Sequence, residues 1–526
     1  MYKRVVPAAI LGFVLATGAL PAASPSFASQ VAAIAGRPQF RHAIVAVGVY
    51  DLDTHRALYA RNGATLMEAA STTKLLTTGT SLALLGPDFR WTTPVYRVGA
   101  FGTDGVLRGD LVLVASGDPN LSQRIQPNGT LAFENEDHSY DGSYDTRAVP
   151  GDPLTVLRDL AAQVAKSGVK TVDGSVVVDA SLFPDQGPEA GTGAIVSPIV
   201  VNDNLVDVTV TPGVKPGDPV SIAVSPQTPY VTFVNKATTG QPGTEPTIDL
   251  SKDVTNPDGT HTVTITGSQR AGKPILWAYR VPEPAKFAEA AFTVALNDAG
   301  VRVVTPPSPQ PAFDAAAASA SYTPQNLVAK HVSPPLSEDV YVTLKVSDNL
   351  HAGLLPYMWA VYVAKAKADY LKAGFAQERM LLTHAGLNLG GAAQQDGLGA
   401  FAFFTTDFMT RYLAWVATQP WYPQLHRALP VLGVDGTLFN IQNGSPADGK
   451  VFAKTGTWGS ADLLNDGELI SKGLAGFMTT RRGHHLAFAL YINHMAGKAS
   501  VDDSKDAAHY AGETLGEIAA DAYESL

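Results

Sequence analysis

Three short strings fix the order in which this chain must gather its chemistry: Ser71-Thr72-Thr73-Lys74, then Ser347-Asp348-Asn349, then Lys454-Thr455-Gly456. Any fold that serves all three must bring Ser71 and Ser347, 276 positions apart, and Lys454, a further 107 positions on, into one cleft. Together the strings supply a serine nucleophile, an amine to activate it, and a second amine with a hydroxyl suited to an anionic substrate. The first string alone is weak, and a second SxxK stands at Ser167-Gly168-Val169-Lys170. That copy runs into Val172-Asp173-Gly174, a turn signal, so no helix follows its serine. Ser71 precedes Lys74-Leu75-Leu76 and Leu82-Ala83-Leu84-Leu85, an apolar helical pattern stopped by Gly86-Pro87. Residues 43–51 and 56–61 ahead of it read as two strands of a hairpin. The spacing therefore predicts a nucleophile at the start of a helix, behind a hairpin.

Residues three apart share a helix face, which sets Lys74 beside Ser71. The positive end of the helix favours negative charge developing there. A free lysine, with a pKa of about 10.4, is a poor base at neutral pH. Burial or a second cation lowers that value, and Lys454 is the expected second cation. The expectation is that neutral Lys74 takes the proton from Ser71 Oγ.

The wide first interval leaves room for a whole extra domain, where a compact β-lactamase would set the first two strings closer together. Other stretches point the same way: Leu107-Arg108-Gly109-Asp110-Leu111 with Ser116-Gly117-Asp118-Pro119-Asn120-Leu121, and Leu429-Pro430-Val431 with Gly433-Val434-Asp435-Gly436-Thr437-Leu438. As a set these resemble the low-molecular-mass class C penicillin-binding proteins, the D-alanyl-D-alanine carboxypeptidase/endopeptidase family of peptidase type S13. The likeness spans about residues 43–495. It implies an α/β (α+β) fold: a serine β-lactamase/transpeptidase-like catalytic domain with a large, mostly-β insertion of one or two domains. It also implies a D-Ala-D-Ala carboxypeptidase, with endopeptidase action on cross-links as a second activity. The substrate would be the peptidoglycan stem peptide, and β-lactam antibiotics would be covalent inhibitors. Rivals are a β-lactamase or D-amino-acid esterase on the same scaffold, and a non-catalytic wall-binding protein.

The resemblance also assigns roles. Ser71, Lys74, Ser347, Asn349 and Lys454 would be catalytic, with Ser347 relaying a proton to the leaving amine and Asn349 holding Lys74 and the substrate amide. Thr455 and Thr457, with Lys454, would bind the terminal carboxylate, and Gly456 would let the substrate backbone approach. Backbone N–H groups of Ser71 and Thr457 would form the oxyanion hole. No cofactor or metal is expected. Three departures stand out: Leu398 in Asp396-Gly397-Leu398-Gly399-Ala400 replaces the family's serine, Gly353 stands where an acid is usual, and no tryptophan follows Asp179-Ala180-Ser181-Leu182-Phe183. They put the pocket for the penultimate part of the stem peptide in question, while the catalytic trio is intact.

At 526 residues the chain exceeds one ordinary core. A formal charge of −10, without a basic stripe or a phosphate-cradling glycine loop, argues against nucleic-acid binding. Lys3 and Arg4, a mostly apolar run from Val5 to Leu20, and Ser26-Phe27-Ala28 read as a secretory signal peptide over 1–28. Export to the periplasm or cell-wall space follows, and the absence of cysteine is tolerated there. No later stretch approaches 18 apolar residues, so no transmembrane span is expected in the mature chain. The catalytic domain is expected over 29–98 and 320–526. The insertion would cover 99–319, with a small β domain at about 205–275 and a Pro/Ala-rich linker at 306–318. Within it, 126–153 reads as a long loop and 154–166 and 283–299 as helices; 350–372 and 406–418 are expected helices of the catalytic part. His484-His485 and Glu134-Asn135-Glu136-Asp137 read as solvated surface rather than metal sites. Glu378 reads as helix surface.

Overall fold

The computed structural model describes residues 26–304, 313–460, 464, 468–496 and 507–526. Its central element is a five-stranded antiparallel sheet in the order Arg56–Arg61, Ile44–Asp51, His485–Ala496, Glu468–Thr479, Val451–Ser460. Alternation along each strand feeds two cores. Ala46, Ala475, Phe477, Ala487, Ala489 and Tyr491 face a helical layer that includes Lys74–Leu85, Leu336–Lys345, Asn349–Met358 and Thr406–Val416. Val45, Val47, Val49, Leu486, Phe488 and Leu490 face the terminal helices Phe27–Ala35 and Ala507–Ser525. Glycines on the first face, Gly456 and Gly473, let the turn Ala70–Thr73 ahead of the nucleophile helix lie close to the sheet.

The predicted hairpin is Ile44–Asp51 with Arg56–Arg61. The expected leader lies outside the described residues as far as residue 25. Its expected cut after Ala28 falls inside the helix Phe27–Ala35, where Phe27 is buried and its ring meets Tyr59 at 5.2 Å. A cut there would remove a core residue together with Ser26, which caps the helix through Ser29 N.

A second sheet runs Arg302–Val304, Thr171–Asp173, Val106–Val114, Thr92–Phe101, Leu327–Val332, with Val176–Asp179 also on Val106–Val114. Helices Thr155–Lys166 and Pro284–Asp298 pack on it through Leu157, Leu160, Phe287 and Phe292. Expected boundaries at 98/99 and 319/320 cut this sheet, because Thr92–Phe101 pairs with Leu327–Val332. That pairing leaves no mark in local composition. A small β unit follows, in which Leu205–Thr211 pairs with both Ser221–Ser225 and Ile275–Arg280, and His261–Thr266 pairs with Val231–Asn235 and Asp249–Thr255. The expected linker at 306–318 lies largely outside the described residues.

Three local expectations fail. Residues 350–372 are not one helix: Asn349–Met358 continues as a π turn, Trp359–Val363, and a new helix starts at Tyr370 after left-handed Lys365 and Asp369. Residues 126–153 do lack regular structure, but the segment is far from solvated. Asp137 and His138 are buried, so the reading of Asp137 as solvated loop is also wrong. Glu378 is buried as well and accepts a bond from Thr80 Oγ1 (3.0 Å) on the nucleophile helix.

Candidate active site

Ser71 sits one turn earlier than the sequence suggests. Ala70–Thr73 is a 3₁₀ turn, and the α-helix begins at Lys74 and ends at Gly86, whose φ of 87° suits glycine. Ala70, just before the nucleophile, has φ 45° and is left-handed. Ser347 is also left-handed at φ 65°. Each such residue costs about 1–3 kcal/mol, a strain that accumulates at functional sites. The decoy Ser167 merely closes a helix, its hydroxyl bonded to Val164 O.

Lys74 joins the first two strings. Its Nζ, fully buried, lies 2.8 Å from Ser71 Oγ, 2.6 Å from Asn349 Oδ1, 3.4 Å from Ser347 Oγ and 3.3 Å from Leu398 O. Burial pulls its pKa down to about 8, against the opposing charges of Glu189, Asp348 and Asp396. A tenth or so of such an amine is neutral at pH 7, enough for a proton acceptor. The bond from Lys74 to Leu398 O explains how the loop tolerates leucine at 398: the backbone is the partner. Gly399, at φ 100°, brings that loop against Ala70 O.

Lys454, Thr455, Gly456 and Thr457 lie on the edge strand Val451–Ser460. Alternation divides their roles. Thr455 and Thr457 line a cleft of about 870 Å³ together with Ser71, Ser347, Asn349, Leu398 and Tyr140. Lys454 and Gly456 point the other way, and two expectations change. A Cβ on Gly456 would stand 2.6 Å from Ala69 O, so the backbone approach that demands glycine is that of the nucleophile turn, not of the substrate. Lys454 is fully buried, and its Nζ donates to Thr455 O at 2.8 Å. It is not the cation that lowers Lys74, whose shift comes from burial. Lys454 itself is pressed well below the usual lysine range by burial, by Lys74 and by Lys472. Among the described residues, the cation that lines the cleft is Lys472, which sequence reasoning missed; its Nζ donates to Thr457 Oγ1 at 2.8 Å.

Other contributors had no motif to reveal them. Tyr140, from the irregular segment of the inserted part, donates to Ser347 O at 2.7 Å and to Asn349 Oδ1 at 3.2 Å. Behind it lies a buried ionic network. His138 contacts Asp203 (2.7 Å) and Asp207 (2.9 Å), and His351 contacts Asp339 (2.8 Å) and Asp203 (3.1 Å). Arg124 pairs with Asp203 and Asp137. Each imidazole thus meets a carboxylate at both nitrogens, the pattern of a doubly protonated ring. Burial alone would depress both histidines, but the carboxylates hold them well above their ordinary value. Asp203, despite burial, is held well below its own by Arg124 and the two rings. Asp137, His138 and Asp203, and likewise Asp203, Asp348 and His351, are close enough to share a metal ion. Arg124 already supplies a cation to the first group, and the ring nitrogens in both are engaged with carboxylates. Only His351, two residues past Asn349, could have been suspected from the sequence.

The family model described as D-Ala-D-Ala carboxypeptidase 3 (S13) matches residues 27–513. The chain belongs to this S13 family. Among relatives, it is 30% identical over 478 residues to the D-alanyl-D-alanine carboxypeptidase of Actinomadura sp., covering 86% of this chain and 80% of that protein. It is 25% identical over 451 residues to the D-alanyl-D-alanine carboxypeptidase DacB of Haemophilus influenzae, covering 82% and 81%. Among solved structures, penicillin binding protein 4 of H. influenzae superposes with a TM-score of 0.69 at 23% identity, covering 94% of this chain and 99% of that one. A second structure of that protein holds a β-lactam. These likenesses bear out the expected S13 family and the penicillin-binding α/β fold with added β-rich parts.

Proposed function

We propose that this protein is a serine-type D-alanyl-D-alanine carboxypeptidase that acts on peptidoglycan stem peptides, cleaves cross-links as an endopeptidase, and is acylated by β-lactams. The observation that carries the reading is Lys74 Nζ, buried within 2.8 Å of Ser71 Oγ and held by Asn349, in a cleft closed by the third motif. Membership of the S13 family and the activity named for its relatives support it.

Ser71 Oγ attacks the carbonyl of the penultimate D-Ala while Lys74 Nζ takes its proton. The resulting oxyanion is held by the N–H groups of Ser71 and Thr457, each such donor being worth about 2.7–4 kcal/mol. Ser347 Oγ, 3.4 Å from Lys74 Nζ, passes a proton to the departing D-Ala amine as the tetrahedral centre collapses to the acyl-enzyme. Water then hydrolyses the ester. Thr455, Thr457 and Lys472 would receive the substrate's terminal carboxylate, and Lys454 would support them from behind the strand. The protein would work outside the cytoplasm, in the periplasm or cell-wall space; among the described residues no helix is long and apolar enough to cross a membrane.

The test is intact mass after brief exposure to benzylpenicillin, for wild type and Ser71→Ala, with drug loss followed in parallel. A stable single adduct absent from the variant supports the reading, and D-Ala release from a stem pentapeptide is then measured. Rapid drug loss without an adduct would make it a β-lactamase instead. No adduct and no hydrolysis would leave a wall-binding protein without catalysis.

A further inference from the structure

One carboxylate near the nucleophile belongs to no motif. Glu189 lies in the inserted part, ahead of Gly191, which lines the cleft. It is buried, 7% exposed. Its Oε1 is saturated by its own loop: Thr192 N and Gly193 N donate to it at 2.7 Å each, and Thr192 Oγ1 also bonds to it. Its Oε2 is buried without a hydrogen-bond partner. That orphaned oxygen faces the active centre. A Cβ on Gly191 would stand 3.3 Å from Glu189 Oε2 and 2.3 Å from Asn349 Nδ2, so the two groups flank one glycine that has no side chain to separate them. Asn349 in turn holds Lys74 Nζ through Oδ1 at 2.6 Å.

We propose that Glu189 is a positioning residue, the counter-ion of Lys74 supplied by the inserted part, which makes the lysine a stronger base and sets the pH at which Ser71 acylates. The inference rests on Lys74 being the base, as proposed above. The charged groups facing Lys74 are Glu189, Asp348 and Asp396, which favour its ammonium, and Lys454, which faces it as a second amine. Of the three acids, Asp348 also caps the helix Asn349–Met358 and Asp396 holds the backbone N–H groups of residues 398–401. Asp348 and Asp396 also bond locally, and Asp348 Oδ2 is likewise buried without a partner, but Glu189 is the acid that the inserted part supplies, and its unpartnered Oε2 flanks Gly191 beside Asn349. An anion near an amine stabilises its protonated form and shifts its titration upward by about 1–3 units at close range. Such an anion holds the proton that Lys74 takes from Ser71 until Ser347 passes it to the leaving amine.

The experiment measures the rate of benzylpenicillin acylation by intact mass from about pH 5 to about pH 10. Wild type, Glu189→Gln, Glu189→Ala and Glu189→Asp are compared, each checked by circular dichroism. In both neutral variants the acidic limb moves to lower pH by about one unit, so acylation at pH 6 is up to about tenfold faster than in wild type. The charge-retaining Asp variant keeps the limb near its wild-type position. Gln and Ala both remove the charge, so one folded neutral variant suffices. A limb that stays in place in a folded neutral variant overturns the inference, as does one that moves equally in the Asp variant. Lys74→Ala is run beside them: if it acylates like wild type, Lys74 is not the base and the proposed mechanism fails, whereas a dead Lys74→Ala with an unmoved Glu189 limb rejects only the counter-ion.

Discussion

At the scale of single residues, the chemistry turns on how far burial moves two amines. Lys74 keeps three carboxylates in range and settles at a pKa of about 8; Lys454 is pressed by burial and two other lysines and falls much further. The sign for catalysis follows. An amine acts as a base when neutral, so the acylation rate of the wild type climbs as pH rises through about 8, measured by stopped-flow with a chromogenic β-lactam. Lys74→Ala removes the acceptor and lowers acylation by at least about 100-fold in the same assay. The identities of Ser71 and Lys74 were legible because an i,i+3 relation is local and survives any tertiary context. Which neighbour perturbs Lys74 was not, since burial and the carboxylate of a loop more than a hundred residues away are properties of packing.

Elements govern how the motifs meet. The third string is read correctly as a strand, yet the side chains of Lys454 and Thr455 point to opposite faces, and only the pairing with Glu468–Thr479 fixes which face is the cleft. Gly456→Ala drives a methyl toward Ala69 O, 2.6 Å away. Because that neighbour is backbone, overpacking of about 1–3 kcal/mol is expected, visible as a lower Tm, with slower acylation as the Ser71 turn is displaced. Phe27 lies in the core under the helix Ala507–Ser525, so N-terminal sequencing of the protein recovered from its native cells reads a start at or before Ser26, and a start at residue 29 would refute the helix packing. Periodicity revealed the hairpin, the nucleophile helix and the helices Thr155–Lys166 and Pro284–Asp298. It failed at 350–372, where two left-handed residues break an otherwise apolar run.

Across the whole molecule, the inserted part is a structural partner of the site rather than an appendage. Asp203, Asp207, Arg124 and His138 come from it; Asp339 and His351 come from the helices Leu336–Lys345 and Asn349–Met358, and Asp348 from the second motif between them. Asp203→Asn would take from Arg124, His138 and His351 the one carboxylate they share; each keeps its other partner, Asp137, Asp207 or Asp339, so a loss of about 1.5–3 kcal/mol of stability is expected by chemical denaturation. The network also has a pH signature. Both histidines are raised above 6.5 in the fold, so their stabilisation is full below 6.5 and is lost as pH climbs through their folded values. Asp203 is lowered below 3.8, so its contribution is present above 3.8 and is lost as pH falls through its folded value. Denaturation midpoints of the wild type should therefore peak between these limits as far as this network decides, and Asp203→Asn should flatten the peak.

What the sequence determined by itself is what short-range chemistry encodes: the nucleophile and its amine one turn apart, the strand that carries Lys454 to Thr457, the stop at Gly86, and a family resemblance spread over most of the chain. Tertiary structure alone decided which amine is exposed to substrate, that Gly456 serves the nucleophile turn, and that Tyr140, Glu189 and Lys472 stand at the cleft. These depend on contacts between residues hundreds of positions apart, and on burial, which changes the charge of a lysine or a histidine without changing a letter of the sequence.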